Sequence, residues 1–184
     1  MHMDLDFIAG FIDADGSLSM TLERAPENRF GYRRKLVFTI TNKDKAVLDQ
    51  AQAVLGFGRV EATNKPSVSK ASPCYTLRTN SHKDAEKIVS LFERRVHGSA
   101  KIEMPLWKEG LNLCRSSQTA DSYIHFVSLM YGINSQGVLR KKPISFWLDV
   151  FGGREGQQLC GHCQSKSCGI TFNKRLIRER LLPR

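Results

Sequence analysis

The sequence of 184 residues lacks the features of secreted and membrane proteins. It has five cysteines, an odd number, and its N-terminus carries neither a basic segment nor a long apolar one. We therefore expect a reducing, intracellular compartment, with no secretory signal and no disulfide scaffold. No apolar run approaches the roughly 18 residues of a membrane-spanning helix. The absence of an internal repeat means that any two-fold symmetry must come from a second chain.

Positive charge is in excess and unevenly distributed. The chain has 28 Lys and Arg against 18 Asp and Glu, a formal net charge of +10. Residues 138–184 contribute +7 of this charge, and residues 1–137 contribute +3. A basic protein attracts polyanions, of which nucleic acid is the usual one. Composition alone also allows an organism whose proteins are basic in general.

The hydrophobic pattern predicts an α+β fold. We expect helices over 4–12, 44–55 and 83–92, and strands over 17–24, 32–41, 59–63 and 74–79. Asp4 and Ser81 are expected to cap the starts of the first and third helices. Gly16 is expected to end the first helix with a positive φ. The order αββαββα predicts a four-stranded antiparallel sheet with one face on the helices and one polar face exposed. Further helices are predicted over 105–114, 120–131, 144–151 and 173–182, and Gly152-Gly153 opens a segment rich in Gly, Cys and Lys.

The nine residues 8–16 read IAGFIDADG. Ala9 and Gly10 are small, so a second helix can approach this one closely. Asp15 follows at the C-terminal end of the helix, where the helix dipole is negative and repels a carboxylate. A divalent cation such as Mg²⁺, which prefers oxygen ligands, relieves that repulsion. The alternative is that Asp13 and Asp15 merely solvate the end of a helix.

This nonapeptide and the elements after it resemble the LAGLIDADG homing endonuclease family of single-motif type, over about residues 4–115. The resemblance implies a homodimer in which two such helices pack together and cut both strands of a long pseudo-palindromic DNA target, leaving 3′ overhangs. It implies Mg²⁺, for which Mn²⁺ substitutes. It also implies an intron-encoded protein of an organelle (chloroplast or mitochondrion) or of a prokaryotic cytoplasm. We expect residues 1–150 to form the endonuclease domain and 151–184 a basic, cysteine-containing extension of it.

The resemblance also assigns roles to single residues. Asp15 and the carbonyl of Ala14 would bind metal, with Asp13 supporting them. Asn42, at a place where Gln is frequent in the family, would organise water, and Lys101 would offset charge near the phosphate. An ordinary surface lysine is the alternative for Lys101. The dimer interface would comprise Ile8, Ala9, Gly10, Phe11 and Asp13.

The polar sheet face is the expected DNA-reading surface, because strands can enter the major groove. Arginine and lysine can donate to guanine, and glutamate can accept from cytosine. A solvated sheet face would show the same alternation. Arg140, Lys141 and Lys142 suit phosphates instead. The predicted face consists of Ser17, Ser19, Thr21, Glu23, Arg33, Lys35, Val37, Thr39, Glu61, Thr63, Thr76 and Arg78.

Three cysteines near the C-terminus have spacing that suits a metal. Cys160 and Cys163 are separated by two residues, which lets two thiolates bind one zinc ion, and Cys168 follows as a possible third ligand. His162, His125 or Cys114 would complete four ligands. Structural zinc, reduced thiols and a disulfide all remain open.

Two other classes of function compete with the nuclease. One is a non-catalytic nucleic-acid-binding protein of the same fold, such as an intron RNA maturase or a DNA-binding regulator. The other is a zinc-stabilised interaction module, which would leave the nonapeptide unexplained. Both acids of the nonapeptide are intact, which favours the nuclease.

Overall fold

The computed structural model describes residues 3–63, 74–133 and 142–158, with side chains to residue 152 in the last range. Helices and strands follow the predicted order αββαββα and continue with three more helices. They are α1 (Leu5–Asp15), β1 (Gly16–Arg24), β2 (Tyr32–Asn42), α2 (Lys45–Leu55), β3 (Arg59–Ala62), β4 (Tyr75–Thr79), α3 (His82–Phe92), α4 (Ser99–Arg115), α5 (Ala120–Gly132) and α6 (Ile144–Gln158).

The four strands form one antiparallel sheet in the order β1-β2-β4-β3. One face carries Leu18, Met20, Leu36, Phe38 and Ile40, all of them buried against the helices. The opposite face carries the polar residues of the same strands, because successive side chains alternate between the two faces. The predicted fold class is therefore confirmed.

Local signals place the starts of several helices. The side chain of Asp4 accepts a hydrogen bond from the Phe7 amide at 2.8 Å, and that of Asp44 accepts one from the Ala46 amide at 2.9 Å. Ser81 accepts from the Asp84 amide at the start of α3. Short polar side chains at such positions satisfy amides that have no partner inside the helix. The predicted caps at Asp4 and Ser81 are confirmed.

Gly16 ends α1 as predicted, but the predicted positive φ was wrong. Gly16 has φ −81° and ψ 157°, which is extended backbone, and it begins β1 directly. A Cβ at this position would lie 2.4 Å from the carbonyl oxygen of Ile12. Glycine is required because the chain turns tightly against the end of α1, and not because φ is positive.

Helices α4 and α6 are longer than predicted. α4 begins at Ser99, six residues before Pro105. The burial of Ala100, Met104 and Trp107 stabilises the helix even though Pro105 has no amide hydrogen to donate. α6 continues through Gly152 and Gly153 to Gln158, because glycine permits a helix to end but does not force it to. The predicted boundary between residues 150 and 151 thus falls inside α6.

Helices α4 and α5 cover the apolar face of β1 and β2. The indole Nε1 of Trp107 donates to the carbonyl oxygen of Ser19 at 3.1 Å. Arg34, which is only 4% exposed, donates to the Ser122 hydroxyl at 3.0 Å and to the Ser116 carbonyl at 3.1 Å. Its guanidinium also lies over the Tyr123 ring. These contacts fix the sheet against the helices. Within the described ranges, no helix has the length and apolar character to cross a bilayer.

Candidate active site and DNA-binding face

The end of α1 presents one free carboxylate. Asp15, the last residue of the helix, is exposed and makes no hydrogen bond or ion pair with any described residue. The carbonyl of Ala14 belongs to the last turn, whose carbonyls lack partners inside the helix. A carboxylate and a carbonyl oxygen on consecutive residues are ligands of the kind that Mg²⁺ accepts. These two groups therefore fit the predicted metal-binding role.

Asp13 has a different environment from Asp15. Its two carboxylate oxygens accept hydrogen bonds from the backbone amides of His97, at 2.8 Å, and Gly98, at 2.9 Å. Gly98 is the residue before the first turn of α4 and has no side chain to cap that helix. Asp13 supplies the missing cap from another helix. Both oxygens are bound within the chain, which agrees with a supporting role for Asp13. Its place in the dimer interface stays a prediction.

The same turn between α3 and α4 also holds the start of α1. Nε of Arg95 lies 3.2 Å from the Asp6 carboxylate, one heptad before Asp13. Lys101 lies in the first turn of α4, three residues after Gly98, and is exposed with no ion pair among the described residues. The bond between Asp13 and Gly98 therefore brings the helix ends that carry Asp15 and Lys101 to the same part of the molecule.

Asn42 lies at the end of β2, close to the end of α1. Gly16 pairs with Ile40, so Asn42 is two residues beyond the point where the two elements meet. The side-chain oxygen of Asn42 accepts a hydrogen bond from the Asp44 amide at 2.8 Å. That bond orients the chain into α2 and leaves the amide nitrogen for other partners. The water-organising role of Asn42 stays a prediction.

Helix α1 has an inward and an outward face. Ile8, Ala9 and Ile12 are buried in the core of the chain, so Ile8 and Ala9 cannot form a dimer interface with their side chains. The outward face consists of Phe7, Gly10, Phe11 and Ala14, spaced at helical intervals. A Cβ on Gly10 would meet nothing within 4 Å. Of the predicted interface, the structure leaves Gly10, Phe11 and the partly exposed Asp13 available.

The strand positions of the predicted DNA-reading residues share the sheet face opposite the helices. Ser17, Ser19, Thr21 and Glu23 of β1 pair with Thr39, Val37, Lys35 and Arg33 of β2, respectively. Thr76 and Arg78 of β4 continue the rows that contain Thr41 and Thr39. Val37 is buried, 6% exposed, and is therefore the member of this face with the least surface to offer DNA.

The charges on this face divide into two groups. Arg33 forms an ion pair with Glu27 at 2.8 Å, and Lys35 forms one with Glu23 at 3.3 Å. Arg78 has no such partner among the described residues. The cations that β2 contributes to this face are therefore neutralised by the chain itself, and Arg78 of β4 is not.

Arg59 and Thr41 also belong to this face, although the predicted set of DNA-reading residues does not include them. Arg59 pairs with Arg78 across β3 and β4, and the Thr41 hydroxyl lies 3.2 Å from that of Thr76. Thr76 is also 2.7 Å from the Thr63 hydroxyl, so three threonines form a connected row. Alternation along the strands could have found both, because Arg59 is two residues before Glu61 and Thr41 two after Thr39.

Much of the predicted C-terminal chemistry lies outside the described residues. This applies to Arg140, Lys141, Cys160, His162, Cys163 and Cys168, so the phosphate contacts of the first two and the zinc site stay predictions. Lys142 is described, and its Nζ lies 3.8 Å from the centroid of the Phe146 ring. No group of three potential metal-binding side chains converges within the part of the chain that is described.

The two described candidates for a fourth zinc ligand have other surroundings. Nε2 of His125 lies 3.0 Å from the Glu109 carboxylate. Burial raises the pKa of the Cys114 thiol to about 12, although the nearby Arg34 guanidinium acts in the opposite direction. A thiol that keeps its proton is a poor zinc ligand, since the thiolate is the form that binds.

The comparisons with known proteins identify the family. The model of the LAGLIDADG endonuclease family matches residues 8–110, which is more than half of the chain. The chain therefore belongs to the LAGLIDADG family of homing endonucleases, as its nonapeptide predicted. A search of curated proteins found no significant match.

Solved structures of homing endonucleases share the fold at low sequence identity. The crystal structure of I-TnaI is 19% identical with a TM-score of 0.69, over 81% of this chain and 98% of that one. The archaeal intron-encoded I-Vdi141I, solved with DNA, is 20% identical with a TM-score of 0.70, over 82% and 96%. I-CvuI, solved with the I-CreI target, is 13% identical with a TM-score of 0.65, over 80% and 94%. These likenesses confirm the fold.

Proposed function

We propose that this protein is a site-specific DNA endonuclease that acts as a homodimer and cuts both strands with divalent metal. The observation that carries the proposal is the contrast between two neighbouring acids. Asp13 is fully engaged by backbone amides, whereas Asp15 is exposed and unpaired among the described residues. A carboxylate left free at the negative end of a helix is unfavourable by itself, and a cation offsets that cost.

The side chains at this end have separate roles in hydrolysis. Asp15 and the carbonyl of Ala14 would hold Mg²⁺, or Mn²⁺ in its place, which when bound polarises the phosphate and lowers the pKa of bound water. Lys101 would place a positive charge beside the phosphate oxygens. Asn42 would orient water through its amide nitrogen. One chain supplies few of the oxygens that Mg²⁺ needs, and the DNA and a second chain would supply others.

The second chain would pack on the outward face of α1. Phe7 is 36% exposed and Phe11 is partly exposed, and Gly10 between them leaves room for a close approach. A two-fold axis through this face would bring two Asp15 carboxylates together. Two sites are needed for two strands, and each chain has one motif. The occupant of this face is therefore proposed to be a copy of the same chain.

DNA would lie along the polar face of the sheet. The face carries both hydrogen-bond donors and hydrogen-bond acceptors, which suits the reading of base edges. I-Vdi141I has the same fold and was solved with DNA, and this supports the proposal for the present chain. The two-fold axis predicts a pseudo-palindromic target, and 3′ overhangs are the expected product.

The proposal is tested with plasmids that carry target sites selected from a random DNA library. Wild-type protein should linearise such a plasmid with Mg²⁺ and not with EDTA. Asp15→Asn should bind the same site without cutting it. Asp6→Asn, which changes an acid near the opposite end of the same helix, is the matched control and should cut normally. Tight binding by the wild type without any cleavage would favour a maturase or regulator instead.

A further inference from the structure

A row of residues crosses the whole sheet just beyond the end of α1. Ser17 pairs with Thr39, Thr39 with Arg78, and Arg78 with Arg59. Ser17 follows Asp15 by two residues, so the row begins beside the proposed cutting site and ends at the free edge of β3. Arg59 and Arg78 are neighbours on the same face, and both are exposed.

The two arginines are the cations of this face that the chain does not neutralise. Within the described ranges, no carboxylate lies within 4 Å of either guanidinium, whereas Arg33 and Lys35 each have one. Like charges directly opposite each other on adjacent strands are destabilising. Their arrangement is therefore unfavourable in the free protein and becomes favourable when a ligand supplies acceptors.

We propose that Arg59 and Arg78 read two neighbouring guanines of the DNA target, one guanine each. The inference rests on the proposed DNA recognition by this face. A guanidinium donates to O6 and N7 of one guanine in the major groove. Stacked bases are about 3.4 Å apart along a strand. The Cβ atoms of directly opposed residues are about 5 Å apart. Two flexible arginine side chains can bring their guanidinium groups from that separation to the spacing of the bases.

The surroundings favour a base edge over a phosphate. A groove of about 470 Å³ at this edge of the sheet is lined by both arginines together with Glu61 and Asn80. The Glu61 carboxylate follows Arg59 by two residues on the same face and would repel a phosphate. The groove also contains Asp84, whose carboxylate accepts a hydrogen bond from the Thr79 hydroxyl at 2.6 Å. Donors and acceptors together suit the mixed edge of a base pair.

The experiment measures binding, so that it does not depend on cleavage. Full-length Asp15→Asn protein is used to select duplexes from a randomised library, and the enriched duplex is resynthesised with 7-deazaguanine at single positions. This base lacks the N7 acceptor. We expect two adjacent guanines in each half-site and a loss of affinity of about tenfold for each replacement. Arg78→Ala should become insensitive to the replacement at one guanine, and Arg59→Ala at its neighbour.

Arg33→Ala is the matched control, because this arginine lies on the same face but is paired with Glu27. It should remain sensitive at both guanines. The inference is overturned if Arg59→Ala and Arg78→Ala weaken binding equally for all sequences and make the affinity less dependent on salt. That result is expected when a lost contact was to a phosphate. The inference is also overturned if the selected sites contain no such guanines, or if no sequence is selected.

A measurement without DNA tests the repulsion separately. Removing either arginine should leave the melting temperature unchanged or raise it, since a like-charge pair is relieved. A lower melting temperature for both variants would contradict the inference. Selection of paired guanines by a wild-type protein that never cleaves would leave this inference intact and refute the nuclease instead.

Discussion

The carboxylate of Asp13 caps the start of α4 by accepting a hydrogen bond at 2.9 Å from the amide of Gly98, which lies 85 residues later in the chain. A Cβ on Gly98 would lie 3.4 Å from that same oxygen, so the approach is close. The bond joins the end of α1, which carries Asp15, to the start of α4, which carries Lys101. Asp13 is therefore a positioning residue for the proposed site.

Asp13→Asn should disturb this connection. Asparagine has one acceptor oxygen, whereas the amides of His97 and Gly98 each need one. One of the two hydrogen bonds is therefore lost. We expect the free energy of unfolding to fall by about 1 kcal/mol. Cleavage should slow by roughly tenfold to a hundredfold because the two helix ends shift. Denaturant unfolding and single-turnover cleavage measure the two effects.

Asp6→Asn is the control for Asp13→Asn. The Asp6 side chain is 84% exposed and bonds to Arg95, and exposed ion pairs contribute little. Stability and cleavage should both stay near the wild-type values. If the two variants behave alike, Asp13 has no positioning role.

Gly10→Ala should weaken the dimer without harming the monomer. The added methyl group meets nothing within 4 Å in the single chain, and alanine favours a helix by about 1 kcal/mol over glycine. On a face where two helices pack closely, however, it separates them. We expect the dissociation constant of the dimer to rise about tenfold, which corresponds to 1.4 kcal/mol. Sedimentation equilibrium measures this constant.

Gly152→Ala makes the same chemical change on α6. Its added Cβ also meets nothing within 4 Å, and it lies far along the sequence from α1. This variant should dimerise as the wild type does. Equal dissociation constants for both glycine variants and the wild type would remove α1 from the interface.

The buried thiol of Cys114 predicts a dependence of stability on pH. Burial raises the pKa of this thiol from its ordinary value of 9.0 to about 12. Above pH 9 the unfolded chain therefore loses a proton that the folded chain keeps, so stability falls as the pH rises from 9 towards 12. Urea unfolding between pH 8 and 10.5 should show a shallower fall for Cys114→Ala. Parallel curves for this variant and the wild type would contradict the prediction.

The sequence predicted the structural features that depend on residues close together in the chain. The caps at Asp4 and Ser81 act within three residues, and the alternation along β1 and β2 depends on the next residue but one. The nonapeptide predicted the family, and the family predicted Asp15. None of these inferences required knowledge of how distant segments meet.

The features that escaped prediction depend on contacts between distant segments. The hydrogen bonds of Asp13 to His97 and Gly98 are one such feature, because these partners are more than 80 residues away in the sequence. Pro105 predicts a late start for α4, whereas the helix begins earlier because Ala100 is buried and Asp13 caps its start. The opposition of Arg59 and Arg78 depends on strand register, which the separate strands do not specify.

The most direct test of the account is the number of strands cut by a mixed dimer. One subunit carries Asp15→Asn, the other is wild type, and two different affinity tags isolate the mixed species. If each chain contributes the carboxylate of one cutting site, the mixed dimer should produce at most a nicked circle from a plasmid with one target. Linear DNA at the wild-type rate from this dimer would contradict the proposed role of Asp15.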